Sequence, residues 1–297
     1  MTLLEAIKTR GLLIGDGGIG TELQRAGLEP GASCERWNVE RPKQVLAMHR
    51  AYADAGAQLL TTNTFGASRF LLARHGLGAR VAELCRAGAR LARQAAGRGC
   101  WVLGSVGPCG GFLEPHGEIP RAGLEASLRE QIRALLDQGV DAIIVETMTA
   151  ADELELAVRV ARDLGAPCVI ASLAYDRTRM GYRTMMGVAP EQGARSARDA
   201  GADILGANCG ASLTPEDFVS IARAYRSVSS LPLCLQPNGG KPRLREAEIV
   251  YEFSPEEMTA GLLELTQHAQ IVGGCCGVTP RHIRDFVQAL QSRTRGA

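Results

Sequence analysis

The stretch Gly273-Gly274-Cys275-Cys276-Gly277 sets two adjacent cysteines among three glycines, a composition that packing alone does not call for. Successive side chains of a regular strand point to opposite faces, so neighbouring sulfurs can share one ion only where the backbone leaves strand geometry. Glycine supplies that freedom. A soft, four-coordinate ion such as Zn²⁺ would then need further ligands from elsewhere in the chain. The competing reading of the pair is a vicinal disulfide, which is strained and which a reducing cytosol disfavours.

Where the other ligands come from depends on the elements that carry them. Eight short apolar segments recur: Leu12 to Asp16, Gln58 to Asn63, Trp101 to Val106, Ala142 to Glu146, Cys168 to Leu173, Ile204 to Cys209, Leu233 to Pro237 and Gln270 to Cys275. Each is followed by a helix-length amphipathic stretch, the alternation that builds a parallel sheet from βα units. Runs that are apolar throughout fit strands covered on both faces. Eight repeats favour an α/β chain closed as a (β/α)₈ TIM barrel over an open doubly wound sheet, which has fewer strands and a ligand fingerprint at its first turn.

Helical spacing is clear in Pro42 to Gly56 and Asp152 to Leu164. Gly56, Gly139, Gly165 and Gly201 stand where C-terminal caps belong, and Thr214-Pro215 and Thr279-Pro280 read as helix starts. No linker divides the chain, so residues 1–297 are expected to form one domain, with the polar segment Gly239 to Glu257 as a long βα loop.

The net charge of +1 comes from 33 basic and 32 acidic residues with no basic block to track phosphates, which argues against a nucleic-acid partner. No apolar run approaches the roughly 18 to 20 residues of a membrane span, and the N-terminus lacks a signal-peptide core. A cytoplasmic protein with no membrane partner is expected. In that compartment nine cysteines are thiols or ligands rather than a disulfide framework. Cys85, Cys100, Cys168 and Cys234 fall in apolar patterns where a small buried hydrophobe is ordinary, and Cys34 and Cys109 read as unligated thiols.

In a barrel of this kind the functional residues sit at the C-terminal ends of the strands. Those ends are polar here: Asp16-Gly17-Gly18, Thr62-Asn63-Thr64, Gly104-Ser105, Glu146-Thr147, Asn208-Cys209-Gly210, Pro237-Asn238-Gly239 and Cys275-Cys276. Cys209 lies two strands from the cysteine pair, so three thiolates can converge across the mouth. None of His49, His75, His116, His268 or His282 is placed as a fourth ligand, which leaves the open position of a catalytic site.

Three thiolates make zinc a weak Lewis acid, poorly suited to hydrolysis but well suited to a sulfur substrate. An alkyl thiol with a pKa of about 8.5 is only a few per cent thiolate at pH 7, and coordination deprotonates it while leaving it nucleophilic. Alkylation of a bound thiol by in-line displacement is the predicted reaction. Asp16 and Glu146 could pair with a substrate ammonium, and backbone N–H groups at Asp16-Gly17-Gly18 could hold a carboxylate. An amino acid with a side-chain thiol fits, with Ser105 and Asn208 completing the expected substrate contacts. Asp16 also has a plain reading as a turn residue before glycine.

These motifs resemble the homocysteine S-methyltransferase family, in its order and over roughly Leu12 to Asp285. Asp16-Gly17-Gly18 is the weak member of the set; Asn208-Cys209-Gly210 and Gly273-Gly274-Cys275-Cys276-Gly277 are the specific ones. The resemblance implies Zn²⁺ on Cys209, Cys275 and Cys276, homocysteine sulfur in the open position, and Asp16, Gly17 and Glu146 at its amino-acid end. Asn63-Thr64-Phe65-Gly66-Ala67, Gly104-Ser105-Val106-Gly107-Pro108 and Pro237-Asn238-Gly239-Gly240 are similar to the homocysteine module of cobalamin-dependent methionine synthase.

No Asp-x-His-x-x-Gly cobalamin motif occurs before Ala297. The methyl group is therefore expected from outside, either from a small donor such as S-methylmethionine, S-adenosylmethionine or a betaine, or from a separate methylated corrinoid protein, with methionine as product. Two alternatives stay open: a homocysteine-binding component of a multi-protein corrinoid methyl-transfer system, and a transferase acting on another thiol or selenol.

Overall fold

The structure is a computed structural model and describes residues 1–210, 212–245 and 248–295. Eight strands, β1 (Leu13–Ile14), β2 (Leu59–Thr61), β3 (Trp101–Val106), β4 (Ala142–Met148), β5 (Val169–Leu173), β6 (Ile204–Cys209), β7 (Leu233–Pro237) and β8 (Ile271–Val272), pair in parallel in the order β1-β8-β7-β6-β5-β4-β3-β2. The two ends of that order meet at Gln58. Its N–H donates to the Ile14 carbonyl (2.7 Å) and its Oε1 accepts the Ile14 N–H (3.0 Å), closing the expected (β/α)₈ barrel.

β3, β6 and β7 cover the residues read from the sequence, and β4 runs two residues further. β1, β2 and β8 are shorter than expected because Asp16, Asn63 and Cys275 leave the ladder to build the mouth. The helices Pro42–Asp54 and Ala151–Asp163 fall where periodicity places them, and the cap glycines 56, 139, 165 and 201 take φ of 100°, 67°, 77° and 106°.

Alternation along the strands sorts the barrel interior into a floor and a mouth. Leu13, Leu59, Trp101, Leu103, Ala142, Ile144, Ile170, Ile204, Cys234 and Ile271 form one apolar cluster with Leu3, Ala6 and Ile7 of the helix Leu3–Arg10. That helix, held by a Thr2/Glu5 capping box, plugs the N-terminal end. Further along the strands, two residues on in most of them and four on in β6, the same inward face presents Thr61, Ser105, Glu146, Ser172, Asn208 and Gln236. The interior therefore turns from apolar to polar toward the strand C-termini, where a barrel keeps its chemistry.

The expected long loop Gly239 to Glu257 is corrected. It contains an antiparallel hairpin, Pro242–Arg245 with Glu248–Tyr251, and residues 246–247 lie outside those described. Ile249-Val250-Tyr251 has the β-branched and aromatic content of a strand, masked in the sequence by its charged neighbours. The next helix, Pro255–Leu265, starts inside the expected loop behind a Ser254/Glu257 capping box. A second unforeseen hairpin, Asp176–Thr178 with Gly181–Arg183, follows β5. Among the described residues no helix is long and apolar enough to cross a membrane.

Candidate metal centre

β7 brings the three cysteines together from both sides. Cys209 stands beside Pro237 in the β6–β7 register, and the Cys275 N–H donates to the Pro237 carbonyl (2.8 Å). The Val278 N–H then donates back to the Cys275 carbonyl (3.1 Å), making a turn with Gly277 at φ 79°. Within such a turn adjacent side chains no longer alternate, so Cys275 and Cys276 can face one point. Cys209 itself sits at φ 60°, a left-handed conformation uncommon for a residue with a Cβ.

The sulfurs of Cys209, Cys275 and Cys276 lie within 4.8 Å of one another, the only such cluster of ligating groups found among the described residues. A tetrahedral zinc with Zn–S of about 2.3 Å separates its sulfurs by about 3.8 Å, so the cluster fits a soft cation of that size. Amide donors point at the sulfurs. Asn238 Nδ2 donates to Cys209 Sγ (3.6 Å) and to the Gly210 carbonyl (3.2 Å), and Asn208 Nδ2 approaches Cys275 Sγ (3.7 Å). Hydrogen bonds from Cys275 and Cys276, then from Asn238, hold the Cys209 thiol far below its usual value, while donating to that sulfur raises Cys275 and Cys276.

Two carboxylates share the mouth with the sulfurs. Asp16 is 1% exposed and takes the Thr61 N–H (2.7 Å) and hydroxyl (2.9 Å); burial, outweighing those bonds, pushes it up to about 7. Glu146 accepts from the Ser105 hydroxyl and is likewise pushed up to about 7, by burial first and then by the charges of Asp16 and Cys209. Neither carboxylate has a cationic partner among its hydrogen bonds.

Four expected substrate contacts, Asn208, Gly17, Gly18 and Ser105, are also engaged by the protein itself. Asn208 is filled by the protein: its Oδ1 accepts the Thr147 N–H (2.9 Å) and Ser172 hydroxyl (2.6 Å), and its Nδ2 donates to Thr147 Oγ1 (2.7 Å). That reciprocal pair holds Thr147 at φ 59°, costly for a β-branched residue, and ties the end of β4 to the end of β6. The Gly18 N–H is taken by the Val278 carbonyl (2.9 Å), so it offers a substrate carboxylate nothing. Gly17 and Gly18 serve close approach instead, since a Cβ there would lie 2.3 Å from the Val278 oxygen and 2.8 Å from the Cys275 oxygen, respectively. Ser105 is fully buried and spends its hydroxyl on Glu146.

The family model described as Homocysteine S-methyltransferase matches residues 13–290. The chain belongs to the homocysteine S-methyltransferase family. Methionine synthase of Mycobacterium tuberculosis is 31% identical over 312 residues, covering 99% of this chain and 26% of that protein. Methionine synthase of Mycobacterium leprae is 31% identical over 307 residues, covering 97% and 25%. The chain thus spans about a quarter of the length of these curated relatives. Among solved structures, the homocysteine methyltransferase MmuM of Escherichia coli in its metallated form superposes with a TM-score of 0.76 at 24% identity, covering 94% of this chain and 96% of that one, and so shares the fold.

Within this homocysteine S-methyltransferase barrel, the remaining cysteines lie outside the three-sulfur cluster. Cys85, Cys168 and Cys234 are buried as packing residues, and Cys109 donates its thiol to the Gly111 carbonyl (3.5 Å). Cys34 is partly exposed, pushed up to about 12 by burial, then by Glu35 and Cys276. Thr147 and Asn238 are recognisable in the sequence as polar strand ends without an evident task, and Tyr251 is not marked at all. An Asn before glycine at the end of β7 was the available signal for Asn238; Thr147 and Tyr251 had none.

Proposed function

We propose that this chain is a zinc-dependent S-methyltransferase that moves a methyl group from an external donor to the sulfur of homocysteine, giving methionine. The observation that carries the reading is the three-sulfur cluster set beside two uncompensated carboxylates in the mouth of a barrel of this family. Zinc held by Cys209, Cys275 and Cys276 would supply one thing, a thiolate at neutral pH from the substrate thiol. Glu146 and Asp16 bind the substrate ammonium in place of the proton that burial makes them hold. Ser105 aims Glu146, and Asn208 braces the β4 and β6 ends so that carboxylate and sulfurs keep their separation. In the transfer, a sulfur lone pair forms the new S–CH₃ bond while the donor's bond to that carbon breaks, its electron pair leaving with the donor. The reading takes residues 1–297 as one cytoplasmic domain.

A second reading makes the chain the homocysteine-binding component of a system whose methyl group comes from a methylated corrinoid protein. One observation favours it: apolar side chains stand exposed on the loops after β2, β3 and β5, namely Phe65 (42%), Phe112 (44%) and Met185 (71%). Methionine formation from homocysteine with S-methylmethionine, S-adenosylmethionine or a betaine, each with and without methylated corrinoid protein, separates the two. Turnover with a sulfonium or ammonium donor alone supports the stand-alone transferase. Turnover only with the corrinoid protein supports the component, and zinc-loaded protein that makes no methionine with any of these donors would point to another thiol or selenol acceptor.

A further inference from the structure

Two of the three sulfurs have an amide donor, each from a different element: Asn238 at Cys209 and Asn208 at Cys275. The third sulfur, Cys276, is met by the hydroxyl of Tyr251, the last residue of the hairpin that follows β7. The ring of Tyr251 lies directly on the turn that carries the cysteine pair. A Cβ at Gly277 would fall 2.1 Å from Tyr251 Cγ and 2.4 Å from Cδ2, so the ring can occupy this place only over a glycine. The flanking backbone is fastened to the same turn: the Phe253 N–H donates to the Gly239 carbonyl (3.0 Å), and the Gly239 N–H donates to the Cys276 carbonyl (2.9 Å).

We propose that Tyr251 is a positioning residue of the metal centre, which donates to the Cys276 sulfur and covers the centre with its ring. The inference rests on the zinc reading above. Three thiolates around a dication leave net negative charge, and each N–H or O–H aimed at a sulfur offsets part of it. Partners of this kind commonly change metal affinity by about 10- to 100-fold. With Tyr251 in place each sulfur has one such donor, and the hairpin gains a function that its polar composition does not announce.

The test is competition for zinc between the protein and a chromogenic chelator, run on the wild type, Tyr251→Phe, Tyr251→Ala and Asn238→Ala. Tyr251→Phe keeps the ring and loses only the hydroxyl, so its zinc dissociation constant is expected to rise about tenfold. Tyr251→Ala also uncovers the centre and is expected to surrender zinc to the chelator faster than Tyr251→Phe. Wild-type affinity and release in both Tyr251 variants, in an assay where Asn238→Ala is weakened, overturns the role of Tyr251 and leaves the zinc reading standing. A wild-type protein that holds no zinc overturns both.

Discussion

Cys209→Ala is expected to lose zinc from about one ion per chain to background while the barrel stays folded, and to lose methyl transfer with it. A lower limit on the loss follows from ionisation alone. With a thiol pKa of about 8.5, free homocysteine is about 3% thiolate at pH 7, so removing metal activation costs at least about thirtyfold. The deficit should shrink toward pH 9, where the thiol ionises unaided. Cys109→Ala is the matched control, since its sulfur meets the Gly111 carbonyl and Glu153 and lies outside the cluster. Metal analysis of protein purified under reductant reads the result. Full activity in zinc-free protein would remove the metal from the account.

For Glu146→Gln the expected outcome is weaker homocysteine binding with zinc retained. A hydrogen bond to a charged group contributes about 1.5–3 kcal/mol, which corresponds to a dissociation constant raised about 10- to 100-fold. Zinc should stay because Glu146 bonds to Ser105 and not to a sulfur. Isothermal titration with homocysteine alongside metal analysis checks both halves, and a variant that loses zinc instead shows that the residue's role is misassigned.

The pH dependence of that binding has a definite sign. Burial raises Asp16 and Glu146 to about 7 from ordinary values of 3.8 and 4.5, so below pH 7 each holds a proton that an ammonium must displace. Homocysteine affinity is expected to weaken as pH falls below 7, by up to about tenfold per unit for one displaced proton, and less steeply in Glu146→Gln. Without ligand the same shifts act on folding in the opposite sense. The stability they contribute is complete below about pH 4 and is lost as pH rises through 7.

The parts of this molecule legible in the sequence are those set by continuous apolar runs and by chemistry that few residues can perform. β3, β6 and β7 are uninterrupted hydrophobic stretches, and their limits are those of the observed strands. The cysteine triad was legible because a barrel puts strand ends on one rim, and the register of β6 and β8 on either side of Pro237 is what that rim looks like in detail. Side-chain direction was not legible. Asn208 at a strand end looks equally suited to a substrate or to Thr147, and its bonds to Thr147 and Ser172 are visible only in the structure. The Gly17-Gly18 pair looked like an anion nest, yet its close packing against residues 275 and 278 arises between opposite ends of the chain. Tyr251 escaped for the same reason, since its neighbour Cys276 belongs to the next βα unit.

X-ray absorption at the zinc edge, recorded before and after adding homocysteine, bears most directly on the claim that this centre captures the substrate thiol. Three sulfur neighbours and one light-atom neighbour are expected without substrate, becoming four sulfurs with it. A sulfur count that stays at three after saturation with homocysteine contradicts direct capture of the thiol by Cys209, Cys275 and Cys276 through their metal.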